Sequence, residues 1–407
     1  VGLIEKGFFS VSICFEERRF MLSKAQIAYL HQVIAPHAAP LLSLYLDVNL
    51  ANPDNSGKAY VLRAREAMEH LGVPQALAKK VLERLQHYIP QGRTRALFAA
   101  EDLFEDYHLQ VELPLLEPRA GVEAHWGAPY LAPLLLALDE YERYGVVLMD
   151  QEHLRLFEVF LGEIEEVTDA FRLLDTQSWR TLGEDRTGTP GRSAAPATSD
   201  VGVPARGGSG KDRFRRRVDE WSQRFFREAG ALLQQQVDQR DLQRLILLGV
   251  PEEARQALPR LVAEKVVAVL PSLHTPNPSS AEVLKAVAPT IEQVEWRVEE
   301  ALLSEVRERG VGGLDQVLNL LQEGRLQYVL VPWHLREKVW RCPDGWVGTS
   351  AQAVQVHCPG QPLEEVELKQ VLPKLAAQFG SRLEFVRFEN EQRLFSELGG
   401  LAGMPRW

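Results

Sequence analysis

Cysteine is scarce in this chain of 407 residues: only Cys14, Cys342 and Cys358 occur. Three cysteines cannot build a disulfide framework, and their scarcity suits a reducing cytoplasm, which is the expected location. Long apolar runs are missing as well. No stretch approaches the ~18 residues that would suggest a membrane span, and the longest, such as Leu131 to Leu138, has the length of a core strand. There is no excess of positive charge: the formal net charge is −10. A chain so charged is not coated in basic surface, so any contact with nucleic acid has to be local, and neither membrane nor DNA is expected as a partner. The histidines show no His-Glu-x-x-His spacing, and no serine occupies a Gly-x-Ser-x-Gly elbow, so neither a zincin site nor a hydrolase nucleophile is indicated.

What is present is an ordinary globular composition, 45% hydrophobic and 25% charged, in a chain long enough for two or three domains with cores of their own. The first twenty residues stand apart. Gly7 to Cys14 is mildly apolar, but only Lys6 offers a basic residue just before it and no small-residue cleavage site follows, so a signal peptide is not expected. Met21 is the first methionine, and Glu16-Glu17-Arg18-Arg19 ahead of it would be encoded by purine-rich codons, as a translated ribosome-binding site is. Residues 1–20 therefore stand as either upstream sequence or a disordered tail.

Three α/β domains are expected after that. Residues 21–138 open with a buried strand, Leu41 to Val48. Helical periodicity follows at Lys58–Met68 and Pro74–Tyr88, and further strands at Arg95–Ala100, Leu109–Leu113 and Tyr130–Leu136. Residues 139–275 begin with an antiparallel meander: Gly145–Asp150, Leu154–Leu161 and Ile164–Val167. The composition then shifts to Gly, Pro, Ser and Thr over the loop 181–211, which has too few apolar anchors to pack and should be cut first by a protease between Arg186 and Arg206. A basic helix, 212–236, follows. Its Phe214, Val218, Trp221, Phe225, Ala229, Leu232 and Leu233 form one apolar stripe, with Arg213, Arg216, Arg217, Arg224 and Arg227 off it. Two buried strands, Leu245–Gly249 and Val266–Leu270, flank a helix from Pro251 to Glu264. Residues 276–407 alternate helices (Ser280–Arg309, Leu314–Glu323, Val366–Phe379) with strands (Leu326–Val331, Leu383–Phe388), a pattern that predicts a three-layer α/β/α domain.

The richest local signal is Arg206-Gly207-Gly208-Ser209-Gly210-Lys211, where the polar loop meets the basic helix. Paired glycines allow φ > 0 and a close backbone approach to a ligand. Arg206, Lys211, Arg213, Arg215, Arg216 and Arg217 supply the positive field that a polyanion needs. Because 35 of the 46 basic residues of the chain are arginine, bidentate phosphate contacts are favoured over point-charge ones.

These stretches resemble the bacterial archaeo-eukaryotic release factor family, relatives of the archaeal and eukaryotic class-I release factors. Tyr144 to Asp150 with His153 to Phe157 is similar to the opening hairpin of that family's central domain. Arg206-Gly207-Gly208 followed by Arg213-Phe214 is similar to its Gly-Gly-Gln loop and the helix behind it. Glu299 to Val331 is similar to its third domain. The resemblance implies a ribonuclease-H-like central domain and a C-terminal domain like a ribosomal RNA-binding protein. It also implies partners in the ribosome, rRNA and peptidyl-tRNA, a role in ribosome rescue or quality control, and no cofactor. It places the catalytic backbone at Gly207, Gly208 and Ser209, and RNA contacts at Arg206, Lys211, Arg213, Arg215, Arg216 and Arg217. Ser209 stands where the family has Gln, which weakens the expectation of peptidyl-tRNA ester hydrolysis. No Thr-Ala-Ser or Asn-Ile-Lys-Ser codon-reading element occurs, so stop-codon decoding is not expected. A non-catalytic ribosome- or RNA-binding module is the alternative.

Three other patterns carry less. Gly210-Lys211 fails as a phosphate loop, because Ala205 replaces the first Gly and Asp212 the Ser/Thr. Asp150 and Glu158 suggest a ribonuclease-H-like nuclease, but no third or fourth acid accompanies them. Cys342-Pro343-Asp344-Gly345 and Cys358-Pro359-Gly360 look like two halves of a zinc ribbon, each without its second cysteine. With only His357 or His334 to add, the hairpin is expected to hold by packing alone, and no metal is expected.

Overall fold

The computed structural model describes residues 24–38, 40–90, 92–117, 121–150, 153–167, 172–173, 210–275 and 277–407, with the side chains of 24, 25, 27, 31, 172, 173 and 210–219 outside that description. The chain forms two compact units. The first holds residues up to Glu112 together with Glu117–Leu131, and the second holds Leu113–Leu116 and Ala132–Trp407.

In the first unit, α1 (Lys24–Tyr29) precedes β1 (Leu41–Asp47), α2 (Ala59–His70), α3 (Gln75–Gln86), β2 (Thr94–Ala99), β3 (Phe104–Leu109) and β4 (Val122–Gly127). The strands pair antiparallel in the order β3-β2-β1-β4. Strand periodicity puts Leu42, Leu44 and Leu46 on one face, where they pack with Tyr60, Ala64, Leu77, Val81 and Leu85 of the two helices. The opposite face closes on residue 130: the Tyr45 hydroxyl donates to the Tyr130 carbonyl at 2.6 Å, and the Tyr130 N–H donates to Ser43 Oγ at 3.0 Å. Two expected strands differ here. The strand predicted at Leu109–Leu113 lies earlier, because β3 ends at Leu109. Tyr130–Leu136 is not a strand but the start of α4 (Ala132–Glu140) in the second unit. A short apolar run does not reveal its period, and Pro133 is tolerated in a first helical turn, where its missing N–H has no partner to lose.

The second unit continues with β5 (Tyr144–Met149), β6 (His153–Phe160), β7 (Glu163–Glu166), β8 (Arg172–Leu173), α5 (Gly210–Arg240), β9 (Arg244–Leu248), α6 (Glu252–Gln256), α7 (Arg260–Glu264) and β10 (Val266–Leu270). The sheet runs β10-β9-β5-β6-β7, with β10, β9 and β5 parallel and the β5-β6-β7 meander antiparallel. Alternation divides its side chains between two cores. Val147, Leu156, Leu245 and Leu247 meet Phe225, Phe226, Ala229 and Leu233 of α5, while Val146, Phe157, Ile246 and Leu248 meet Val283 and Val287 of the next long helix. The helix expected from Pro251 to Glu264 is two short ones, because Pro259 lacks the N–H an unbroken helix would use and caps α7 instead. β10 is an edge strand rather than a buried one, with Val269 46% exposed.

That long helix is α8 (Ser280–Arg309), unbroken through Pro289 and opened by a capping box in which Ser279 and Glu282 satisfy each other's backbone N–H groups. It is followed by β11 (Val311–Gly312), α9 (Leu314–Gln322), β12 (Leu326–Pro332), β13 (Lys338–Arg341), β14 (Val347–Gly348), α10 (Ala351–His357), β15 (Glu364–Glu367), α11 (Leu368–Phe379), β16 (Arg382–Val386), α12 (Phe388–Leu398) and β17 (Ala402–Pro405). A second sheet, β11-β17-β12-β16, has Val329 and Val331 against α9 and α11 on one face and Tyr328 and Leu330 against Leu303, Val306 and Leu394 on the other. A three-stranded sheet, β14-β13-β15, carries α10 on its own small core. The helix α12 and strand β17 had no counterpart in the sequence reading. The sequence Ala402-Gly403-Met404-Pro405 gives β17 none of the β-branched composition of a strand.

Candidate functional site

The helix α5 begins at Gly210, directly after Gly207-Gly208-Ser209. Gly207, Gly208, Ser209 and Arg206 lie outside the described residues, as does the span from Arg186 to Arg206 in which the first protease cuts are expected. Lys211, Arg213, Arg215, Arg216 and Arg217 fall within the first turns of α5 as backbone, with their side chains outside the description. What positions them is the remainder of the helix. Among the described side chains of α5, the first buried one is Phe225. At 1.5 Å per residue, about 22 Å of helix separates it from Gly210.

From Phe225 onward the helix is held closely. Phe225, Phe226, Ala229, Leu233 and Val237 are all buried against the sheet, and the larger of these side chains each contribute about 1.5–3 kcal/mol. Gly230 lets the helix approach the start of α7: a Cβ there would lie 2.9 Å from Pro259 Cδ. Arg224 and Arg227 are exposed, as the stripe predicts, with Arg224 Nε 3.1 Å from Glu228. At the far end, Arg240 donates to Gln236 and to Glu158.

Glu158 is thereby accounted for. It is buried between Arg143 at 2.5 Å and Arg240 at 3.4 Å, a structural ion cluster. Asp150 shapes the β5–β6 turn by accepting the His153 N–H at 2.7 Å. In the antiparallel register Glu158 faces Gly145 while Leu154 faces Met149. Four strand residues, about 13 Å, separate the two ends, too far for the two acids to share one ion.

Two i, i+4 acids on α8 fasten the second unit internally. Glu295 accepts from the Tyr144 hydroxyl at 2.5 Å and from Arg244 at 2.8 Å on the first sheet. Glu299, one turn on, accepts from the Arg387 N–H at 2.9 Å and from Arg387 Nε at 3.0 Å beside the second. The Arg387 guanidinium also lies over the rings of Trp333 and Tyr141. Burial outweighs this pairing and raises the Glu299 pKa, while burial of Tyr144, next to Glu295, raises its hydroxyl as well. Glu140, at the end of α4, accepts from the Phe385 N–H, and burial pushes it up to about 8 despite nearby Arg387. Sequence reasoning missed this cluster. Glu299 and Arg387 are 88 positions apart, and no local spacing joins them.

The zinc-ribbon halves do come together, but not by packing alone. Cys342 and Cys358 are joined as a disulfide, correcting that expectation. Asp344 and the two sulfurs place donor atoms within 4.8 Å of one another. The loop holds them this way because the Trp346 N–H donates to Asp344 at 2.9 Å, and the Cys342 N–H to the Trp346 carbonyl at 3.0 Å. His334, the other histidine considered, is turned away to Glu391.

Residues 129–292, a segment that contains the glycine loop and α5, match the family model of bacterial archaeo-eukaryotic release factor family 10, and this part of the chain is similar to that family. No curated protein matches. Among solved structures, the archaeal translation termination factor aRF1 is 15% identical, covering 96% of this chain and 100% of its own, with a TM-score of 0.25. Pelota of Archaeoglobus fulgidus is 13% identical over 77% of this chain and 88% of its own, with a TM-score of 0.30. A model of ribosome-bound archaeal Pelota and ABCE1 is 11% identical over 95% of this chain and 94% of its own, with a TM-score of 0.40. At these scores the superpositions add nothing to the family match. The chain is release-factor-like over residues 129–292, it is mixed α/β with several sheets, and among the described residues no helix is long and apolar enough to cross a membrane.

Proposed function

We propose that this protein docks on the ribosome and presents Gly207-Gly208 to peptidyl-tRNA in the peptidyl-transferase centre, acting in ribosome rescue or quality control. The observation that carries the reading is the family match across residues 129–292, which spans the loop and its helix. The firm seating of α5 from Phe225 onward supports it, since a probe needs a rigid base. In this reading residues 21–138, 139–275 and 276–407 act as three domains, the second ribonuclease-H-like and the third like a ribosomal RNA-binding protein. The basic residues Arg206, Lys211, Arg213, Arg215, Arg216 and Arg217 hold rRNA or tRNA phosphates, and the cytoplasm is the site of action.

Chemically, the ester linking peptide to tRNA is cleaved when water attacks its carbonyl carbon and the ribose oxygen leaves with a proton. The glycines admit the backbone without a clashing Cβ, and the Ser209 N–H donates to the oxyanion as it develops. Ser209 lacks the reach of Gln, so water is positioned less well and hydrolysis is slow. The same residue favours a second reading, in which the loop occupies the site without cleaving. Co-sedimentation with ribosomes combined with peptidyl release from loaded complexes tests both. Binding with slow release, restored at least tenfold by Ser209→Gln, is the expected result. Binding with no release in either form leaves the second reading, and no binding overturns both.

A further inference from the structure

Cys342 follows β13 and Cys358 caps α10, so their bond ties a strand end to a helix end across a separation of 16 residues. The Cα atoms are 6.5 Å apart, within the span a disulfide bridges. Both cysteines are only 2% exposed, in a small core with Val354, against which Trp340, Trp346 and Leu363 pack. Cys342 nevertheless lines a groove of about 560 Å³ together with Arg341, Asp344, Leu363 and Lys374. The Asp344 carboxylate straddles the pair, Oδ1 at 2.6 Å from Cys342 Sγ and Oδ2 at 3.4 Å from Cys358 Sγ. His357 completes the surroundings, stacked on Trp346 at 4.2 Å with Nε2 3.6 Å from Asp344.

A carboxylate so placed has a definite effect. It repels thiolates, the form in which cysteine binds metal and reacts, and it does not repel a neutral disulfide. Local charge therefore favours the joined state over two thiolates. The groove gives a small molecule a way to Cys342 that a protein thiol does not have.

We propose that Cys342 and Cys358 are a reversible redox site, reduced through this groove by low-molecular-weight thiols. The thiolate of one such molecule attacks Cys342 Sγ, and the S–S bond breaks with Cys358 leaving and taking up a proton. A second small thiolate attacks the outer sulfur of the mixed disulfide and releases Cys342. Two small thiols become one small disulfide, and the two electrons reside on the protein as two S–H groups. Reduction unties β13 from α10, while Val339 of β13 and Val347 of β14 remain in the core they share with the larger sheet, β11-β17-β12-β16.

Thiol titration of the full chain tests this. Protein purified without reductant and then denatured should show one free thiol, Cys14, and three after reductant. Millimolar glutathione should reduce the native protein with its circular dichroism intact, and Asp344→Asn should speed that step about tenfold. Offered oxidised glutathione, whose own S–S bond breaks to release one glutathione thiol, the folded Cys342→Ser variant should form no mixed disulfide at Cys358, which does not line the groove. Three free thiols with one bound zinc per chain in the untreated protein would overturn the proposal. So would a disulfide that yields to glutathione only when the protein unfolds, or an unchanged rate in folded Asp344→Asn.

Discussion

Glu140 shows how burial sets a charge in this protein. Its carboxyl is removed from water at the end of α4, and Arg387 does not offset the loss, so its pKa stands at about 8 against 4.5 unperturbed. The folded state binds this proton more tightly than the unfolded one, so its stabilising effect is complete below about pH 4.5 and declines as pH rises. Between 4.5 and 8 the decline is about 1.4 kcal/mol per pH unit for this group, and it levels above 8. Glu140→Gln should melt like wild type near pH 5 and well above it at pH 8, measured by thermal scans at both. A constant difference across pH would show that Glu140 is ionised throughout. Glu299 makes the complementary case. It is 6% exposed and holds the largely buried Arg387. Glu299→Ala leaves that cation without its carboxylate and should cost about 3–5 kcal/mol in urea unfolding. A loss below 1 kcal/mol would mean that the cation–π contacts suffice.

Among elements, α5 was the most legible from sequence. Its aromatic stripe repeats at three and four residues, and Phe225, Ala229 and Leu233 are buried where that period puts them. Phe226, one position off the stripe, is buried too, because α5 meets α6 and α7 as well as the sheet. The β5-β6-β7 meander and the parallel β9 and β10 also follow from their patterns. Less legible was whatever depends on partners distant in sequence: α4, whose apolar run has no clear period, and β17, a strand without β-branched residues that is made by its neighbours β11 and β12. Of the candidate site, the glycine pair and basic cluster were legible as residues, whereas the acids of α8 and the bond between Cys342 and Cys358 were not. The basic cluster carries its own test. Alanine at Arg213, Arg215, Arg216 or Arg217 should weaken RNA binding and lower the slope of log K against log salt by about one unit each. Unfolding midpoints should not move. An unchanged slope across the series would make these arginines a solvated face.

At the scale of the molecule, the account joins a family segment, a helix seated on a sheet, and a glycine pair at the helix's origin. The second unit is fastened through α8, which serves both larger sheets with Glu295 and Glu299, so the base of α5 belongs to a body larger than its own sheet. The central claim is that Gly207-Gly208 is delivered to the peptidyl-transferase centre. Site-directed hydroxyl-radical probing measures this most directly: iron chelated at Ser209→Cys, in a chain with its three native cysteines changed to serine, bound to ribosomes carrying peptidyl-tRNA. The account predicts rRNA cleavage concentrated in the peptidyl-transferase loop of the large subunit. Cleavage confined to other rRNA segments, with the protein bound, would contradict it.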